Sequence, residues 1–532
     1  MNTPATIRAL IDERARQFPD KPFLLAPMED GDASDRPRAL TFGELRDACI
    51  ALEAGFADAG LVPGDVVSVY MGNGLQTATL LLAAMYGGYV ANPLNLLCQP
   101  SQVRYIVEHS DTRAIFVSRD SREAIETALA ELRAQGFERD ILLVQTQADT
   151  VETLSFAKSE FAFADATGAE PAEHGNANAQ ANPHADVALL MYTSGTTGAP
   201  KGVLLTHRNL LANAHNITAE HRLGSGDRVL ASLPLYHING LVVTLIAPLF
   251  HGGSVVMAER FSARTFWRDA ARYACTWINV VPTIVAYLLN HDEEQAFDLS
   301  ALKFCRSASA ALPAEHHRAF EARFGIGVIE TMGMTETAAP AFSNPYDSTR
   351  RRIGSIGLPS GGEARVIDPE GRDCAPNESG ELVLRGEQVM SGYYKRPDET
   401  RAAFTAEGWL RTGDLGFRDA DGYYYINGRA KELIIKGGEN IAPREIDEAL
   451  LRHPGVLEAA AVGVPDAAYG QEIVAFVVAR EAAGPDALDA AGLREHCLRE
   501  LGRYKTPKEF RLVTELPRGP SGKVQRLKLL QT

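Results

Sequence analysis

Apolar positions in the first 330 residues alternate between the periods of helices and of strands. Ile7, Leu10, Ile11, Ala15 and Phe18 recur along one helix face, and Pro19 ends the pattern. Thr41 and Glu44 form a capping box ahead of a helix that runs to about Gly60. Residues 65–70 and 114–117 read as strands and 75–86 as a helix. The uncharged run 78–91 is split by Gly87-Gly88. It is shorter than the roughly 20 residues a membrane span needs. It reads instead as a buried helix entering a strand. This alternation predicts an α/β chain of layered, largely parallel sheets.

Beyond Arg350 the texture changes. Residues 363–367, 380–385 and 422–427 are short alternating strands separated by Gly or Pro turns, predicting a β-rich subdomain with the look of a distorted barrel. From about 428 another unit begins, with helices at 443–452 and 493–501 and strands at 457–464 and 473–478. That is a small α+β domain. Residues 165–186 lack any period and read as a surface linker, and 31–38 as a shorter insertion between two strands.

The chain of 532 residues is too long for one ordinary core, and 45% hydrophobic with 23% charged residues is a globular composition. A formal net charge of -15 argues against nucleic acid or an anionic membrane as a bulk partner. It leaves room for a local basic pocket. Cys49, Cys98, Cys275, Cys305, Cys374 and Cys497 have no metal-ligand spacing and read as reduced thiols. No secretory signal or peroxisomal address is evident, so the expected location is cytoplasmic.

The most informative run is Tyr192-Thr193-Ser194-Gly195-Thr196-Thr197-Gly198-Ala199-Pro200-Lys201-Gly202. Its glycines let backbone N–H groups approach an anion, its hydroxyls add donors, and Lys201 adds a mobile charge. The spacing is not that of a Walker loop. Apolar runs on both sides predict a hairpin-like turn over a sheet. A hydroxyl-rich turn without a ligand is the plain alternative.

This run resembles the phosphate-binding signature of the adenylate-forming superfamily, which contains acyl-CoA synthetases, adenylation domains of peptide synthetases and luciferases. The resemblance extends from the N-terminal helix to Lys523, with the motifs in the superfamily's order. It implies a large N-terminal adenylate-binding domain (1–427, β-rich from about 350), a hinge at 428–431 and a mobile C-terminal domain (432–532). Thr193, Ser194, Gly195, Thr196, Thr197 and Lys201 would cradle ATP phosphates. Asp414, in Thr-Gly-Asp, resembles the aspartate that holds the AMP ribose, and Arg429 the arginine that accompanies it. In Glu330-Thr331-Met332-Gly333-Met334-Thr335-Glu336, Thr335 would bond a phosphate. Glu336, with Thr196, would hold Mg²⁺, which prefers hard oxygen ligands. Ser309, Glu330 and Thr331 would also touch the nucleotide. Met332 departs from the superfamily, because an aromatic residue usually stacks on adenine there; its sulfur can still pack on a flat ring. Lys523, in Ser-Gly-Lys, resembles the C-terminal catalytic lysine, Lys431 the hinge residue, and Gly437-Gly438 part of the loop that lines the pantetheine tunnel of acyl-CoA synthetases. An ordinary reverse turn is the other reading of those two glycines.

The acid pocket is expected around His237, Asn239, Arg306, Ser307, Met332 and Gly333. Its polar residues would leave bonds unmet around an alkyl chain, at about 1–3 kcal/mol each, which favours a short polar acid. Arg306 offers a charge, unless a scaffold carboxylate takes it. Residues 261–267 and 281–284 resemble the oxalate–CoA ligase branch. The implied activity is that of an AMP-forming acid–CoA ligase: ATP, CoA and a carboxylic acid give acyl-CoA, AMP and pyrophosphate through an acyl-adenylate. Oxalate-like, dicarboxylic or sulfonated acids such as sulfoacetate fit best. Alternatives are an aryl- or medium-chain fatty acid–CoA ligase, an enzyme that loads a carrier protein, or a non-catalytic nucleotide-binding homologue. No nucleic-acid or membrane partner is expected, and a homodimer is left open.

Overall fold

The computed structural model describes residues 4–28, 37–150, 186–193, 199–291, 296–429, 432–480, 488–518 and 524–530. Two large sheets dominate. The seven-stranded one follows the order Gly392–Tyr393, Lys201–Thr206, Val187–Thr193, Val90–Pro93, Val66–Tyr70, Thr112–Val117 and Leu142–Gln145. The nine-stranded one has a parallel centre of Val328–Met334, Phe304–Ser307, Trp277–Val280, Arg228–Ala231 and Ser254–Met257.

Helix Leu75–Tyr86 carries no charged residue and is buried along its whole length. Its apolar cluster reaches Val67 and Val69 in one sheet and Val229 and Ala231 in the other. Each fully buried leucine there contributes about 1.5–3 kcal/mol. The run that looked like a buried helix entering a strand is that helix followed by Val90–Pro93. Helix Phe42–Asp58 opens on the Thr41–Glu44 capping box.

The β-rich region is an open, four-stranded antiparallel sheet of Gly362–Ile367, Gly380–Gly386, Leu410–Arg418 and Tyr424–Arg429. This corrects the barrel expectation: among the described residues the first and last strands do not pair, so the sheet never closes. The last strand runs two residues beyond 427 because Arg429 pairs in register with Asp414. The C-terminal unit is a five-stranded sheet packed by helices Pro443–Leu451 and Ala490–Lys505 around a separate apolar cluster. It touches the larger unit through polar contacts, including Arg444 Nη1 to the Ile426 carbonyl (2.9 Å) and Arg480 Nη1 to Asn290 Oδ1 (3.4 Å).

Candidate active site

The phosphate run lies between two antiparallel strands. Val187–Thr193 pairs with Lys201–Thr206, with Thr193 opposite Lys201. Ser194, Gly195, Thr196 and Thr197 lie outside the described residues. Lys201 Nζ stands 4.6 Å from the centre of the Tyr393 ring, a cation–π distance. The Tyr393 hydroxyl donates to Glu336 Oε1 at 2.8 Å. Tyr393 therefore links the lysine to the carboxylate. Its backbone makes this possible, because Gly392–Tyr393 adds to the sheet beside Val203 and Leu204. Burial, then the Glu336 charge, raises the Tyr393 pKa and keeps its proton in place.

Strand Val328–Met334 carries Glu330 to Gly333 and runs into a single 3₁₀ turn, Thr335–Thr337, that holds Thr335 and the buried Glu336. The backbone there is tight. A Cβ on Gly333 would lie 1.9 Å from the Ala339 carbonyl oxygen. Ala338 and Ala339 adopt φ of 52° and 101°. Such strain is retained where a side chain must be aimed. Met332 is half-buried and packs against the main core cluster. On the neighbouring sheet, Arg429 Nε lies 2.9 Å from Oδ1 of the buried Asp414. The Asp414 charge raises the arginine's pKa.

Strand Phe304–Ser307 lies beside Val328–Met334, with Ser307 in register with Glu330. Four buried polar atoms at these adjoining strand ends have no hydrogen-bond partner among the described residues: Arg306 Nε, Ser307 Oγ, Glu330 Oε2 and Thr331 Oγ1. Buried polar atoms are normally paired, so such a cluster marks ground prepared for a ligand. It sits at the carboxyl ends of parallel strands, where open α/β sheets bind ligands. Glu330 Oε1 accepts the Leu312 N–H at 3.1 Å, and burial pushes the acid up to about 7.

Arg306 is 1% exposed. Its Nη1 donates to Asn239 Oδ1 at 2.7 Å and to Asn279 Oδ1 at 2.8 Å. Asn279 Nδ2 donates in turn to Asn239 Oδ1 (3.2 Å), and Asn239 Nδ2 to Ser309 Oγ (3.1 Å). Asn239 opens a π-helix, Asn239–Ile246, a form frequent at functional sites. Ser309 sits at φ 73°. The half-buried His237 precedes Asn239, its ring edge-on to Tyr236 at 4.8 Å. No ion pair joins Arg306 to a carboxylate among the described residues. Glu220, the acid whose field reaches it, accepts from Ser360 Oγ at 2.9 Å and is pushed by burial to about 7. Burial lowers Arg306 itself to about 9. The scaffold-pairing alternative for Arg306 is thereby corrected.

Other expected residues stand apart or fall outside the description. Gly437 and Gly438 form the two-residue tip, at φ 56° and 87°, of the hairpin Ile434–Lys436 with Glu439–Ile441. The Gly437 N–H donates to the Tyr469 carbonyl oxygen at 2.8 Å, and a Cβ there would lie 2.9 Å from the Tyr504 hydroxyl, both of the same unit. Lys431 and Lys523 lie outside the described residues, although the segment holding Lys523 is flanked by an Arg518–Val524 bridge. Sequence reasoning missed Tyr393, Asn279 and Glu220. Only Tyr393 had a local signal, a glycine before it in a run of tyrosines, and nothing in the sequence tied it to Glu336.

A charged cradle and an acid-facing cluster that share one strand wall suit an enzyme that activates an acid with a nucleotide. Comparison with known proteins agrees. Residues 11–394 match the AMP-binding enzyme model, and 445–523 match the AMP-binding enzyme C-terminal domain. The chain is 64% identical to the sulfoacetate–CoA ligase of Cupriavidus necator over 99% of its own length and 97% of that protein's. It is 34% identical to the oxalate–CoA ligase of Arabidopsis thaliana, covering 98% of this chain and 97% of the relative. Among solved structures it resembles the anthranilate CoA ligase AuaEII in complex with anthranoyl-AMP, with a TM-score of 0.84, 26% identity and coverage of 100% and 98%. The chain belongs to the AMP-binding enzyme family, the adenylate-forming superfamily. It is an acid–CoA ligase that works through an acyl-adenylate.

Proposed function

We propose that the acid is short and carries a second anionic group, with sulfoacetate as the favoured substrate. The observation that carries this reading is Arg306, a buried guanidinium held by neutral amides beside unpaired polar atoms. An isolated buried cation is costly, and a substrate sulfonate or carboxylate relieves that cost. A long alkyl or plain aryl acid leaves it uncompensated. The relatedness to a sulfoacetate–CoA ligase and to oxalate–CoA ligases supports the same choice.

In this reading the acid's carboxylate oxygen attacks the α-phosphorus of ATP, and pyrophosphate leaves. The segment from Thr193 to Lys201 holds the phosphates, with Thr335 beside them. Asp414 accepts the ribose hydroxyls, steadied by Arg429. Glu330, Thr331 and Ser309 line the nucleotide, and Met332 packs on its base. Lys523 stabilises charge that builds between two anions. The small domain then turns about Lys431, Lys523 withdraws, and the Gly437-Gly438 turn guides pantetheine. The CoA thiol loses its proton, its sulfur attacks the acyl carbon, and AMP leaves. Holding both reactants in register supplies much of the rate.

The residues present fit Mg²⁺. Among the described residues no group of three or more His, Cys, Asp or Glu could cage a metal. Mg²⁺ uses one or two carboxylates together with substrate phosphates and water instead. Glu336, whose Oε1 is already oriented by Tyr393, would be that carboxylate, and the Thr196 hydroxyl is the expected second ligand. The ion neutralises phosphate charge when bound. No helix among the described residues is long and apolar enough to cross a membrane. The six free cysteines accord with a reducing, cytoplasmic setting. Every residue of the proposed site comes from one chain, so the reading does not require a dimer.

The test is AMP release with ATP and Mg²⁺, with and without CoA, across sulfoacetate, oxalate, malonate, acetate, benzoate and octanoate. Sulfoacetate is expected to give the highest kcat/KM, in a CoA-dependent reaction. A clear win for octanoate or benzoate removes the polar-pocket reading. Turnover indifferent to CoA points to a carrier-protein acceptor.

A further inference from the structure

The acceptors on Arg306 are as informative as the arginine. A buried guanidinium could be satisfied by aspartate or by asparagine, which are nearly equal in size. Aspartate would complete an ion pair and cancel the positive field. Asparagine offers an equivalent carbonyl oxygen and leaves the charge intact. Both acceptors here are asparagines, at 2.7 Å and 2.8 Å. Asn279 is fully buried and sits in register with Arg306 on the adjacent parallel strand. Its amide nitrogen is spent on Asn239, at 3.2 Å from Oδ1 and 3.4 Å from the carbonyl oxygen. Its oxygen is therefore turned toward the guanidinium. The two amides bond to each other and to the same Nη1, which fixes the plane of Arg306 and leaves Nε without a partner among the described residues.

Resting on the substrate reading above, we propose that Asn279 is a specificity-determining positioning residue: it holds Arg306 in place without neutralising it, so the pocket keeps a full positive charge for the second anionic group of the acid. The acid class is therefore dianionic, with a carboxylate to activate and a sulfonate or second carboxylate to anchor. Asn279 does not touch the substrate. It acts through Arg306, and its exchange for aspartate alters charge at almost constant volume.

The experiment compares wild type, Asn279→Asp and Asn279→Ser by steady-state kinetics with sulfoacetate (dianion) and acetate (monoanion), and by thermal unfolding. In Asn279→Asp the new carboxylate pairs with Arg306. KM for sulfoacetate is expected to rise about 100-fold with kcat changed little, and acetate is affected less than about 3-fold. The sulfoacetate-to-acetate preference then collapses. Asn279→Ser keeps the charge and is expected to retain the preference even where overall activity falls. If Asn279→Asp does not fold, Asn239→Asp places the same charge on the same Nη1; because Asn239 belongs to the proposed acid site, only the collapse of the sulfoacetate-to-acetate preference is expected of it. A folded aspartate variant that keeps the wild-type preference overturns the proposal, as does equal loss of preference in the serine variant. Failure of the underlying substrate reading is visible separately: wild type itself would then show no preference for sulfoacetate, before any variant is compared.

Discussion

Arg429 rests its Nε 2.9 Å from Asp414 and keeps about half of its side chain open to solvent, whereas Arg306 is sealed from solvent and, among the described residues, bonded only to amide oxygens. The same contrast runs through the two regions. On the side we propose for the nucleotide, Glu336 is capped by a tyrosine hydroxyl and Lys201 lies over that tyrosine's ring. On the side we propose for the acid, no ion pair joins the buried Arg306 to a carboxylate among the described residues, and Glu220, whose field reaches it, is itself pushed by burial to about 7. Paired, partly solvated charges let a site stand empty at little cost. An uncompensated buried charge makes an empty site costly and a matched ligand welcome. If the proposed assignment holds, the nucleotide side is therefore tolerant and general, and the acid side selective.

The largest effect should come from removing the contrast outright. Arg306→Met keeps the unbranched stem, two atoms shorter, and discards the guanidinium and its charge. Breaking a buried charged contact costs about 2–5 kcal/mol, so kcat/KM for sulfoacetate should fall roughly 30- to 4,000-fold. KM for ATP should change little. Steady-state kinetics with each substrate varied in turn would check this, and an unaltered sulfoacetate KM would place the acid elsewhere.

A smaller effect on the other side sharpens the comparison. Asp414→Asn keeps shape but weakens the ribose bonds and the partner of Arg429. Hydrogen bonds to charged groups contribute about 1.5–3 kcal/mol, so kcat/KM for ATP should drop roughly 10- to 150-fold. Every acid should suffer equally. A sulfoacetate-to-acetate ratio that shifts in this variant would show that the two regions are not separable.

The regions also differ in how legible they were. The hairpin signature, Asp414 and Glu336 lie in local runs where chemistry and turn residues coincide, so the chain advertises them. The parallel sheets and the buried helix Leu75–Tyr86 were readable for a similar reason, since period and the lack of charge act locally. The proposed acid side is assembled from Asn239, Asn279 and Arg306, three segments brought together by strand register and a π-helix. Arg306 could be suspected from its type, but whether an aspartate or an asparagine would meet it depended on packing far along the chain. The open β-rich sheet was misread for the same reason: alternation marks strands, and only pairing decides whether they close.

Glu330 offers the finest probe, because it belongs to the wall that both regions share. It pairs in register with Ser307, next to Arg306, and its Oε2 is unbonded among the described residues. Burial raises the acid from 4.5 to about 7, with Arg444 opposing and Glu448 adding to the rise. The sign follows from proton binding. Below pH 4.5 the carboxyl is neutral in both folded and unfolded chains and has no effect. Between 4.5 and about 7 the unfolded chain releases the proton first, so stability falls as pH rises, and the loss is nearly complete above 7. From pH 5 to pH 8 this group should remove about 2 kcal/mol. Glu330→Gln keeps the acceptor for the Leu312 N–H and cannot ionise. Its stability relative to wild type should therefore rise by about that amount over the same interval, whatever the fixed cost of burying the amide. Thermal unfolding at matched ionic strength would show the variant's Tm gaining on wild type from pH 5 to pH 8. Parallel pH profiles for the two proteins would mean that Glu330 is solvated or already paired, and the shared wall would then carry no prepared acceptor for a ligand.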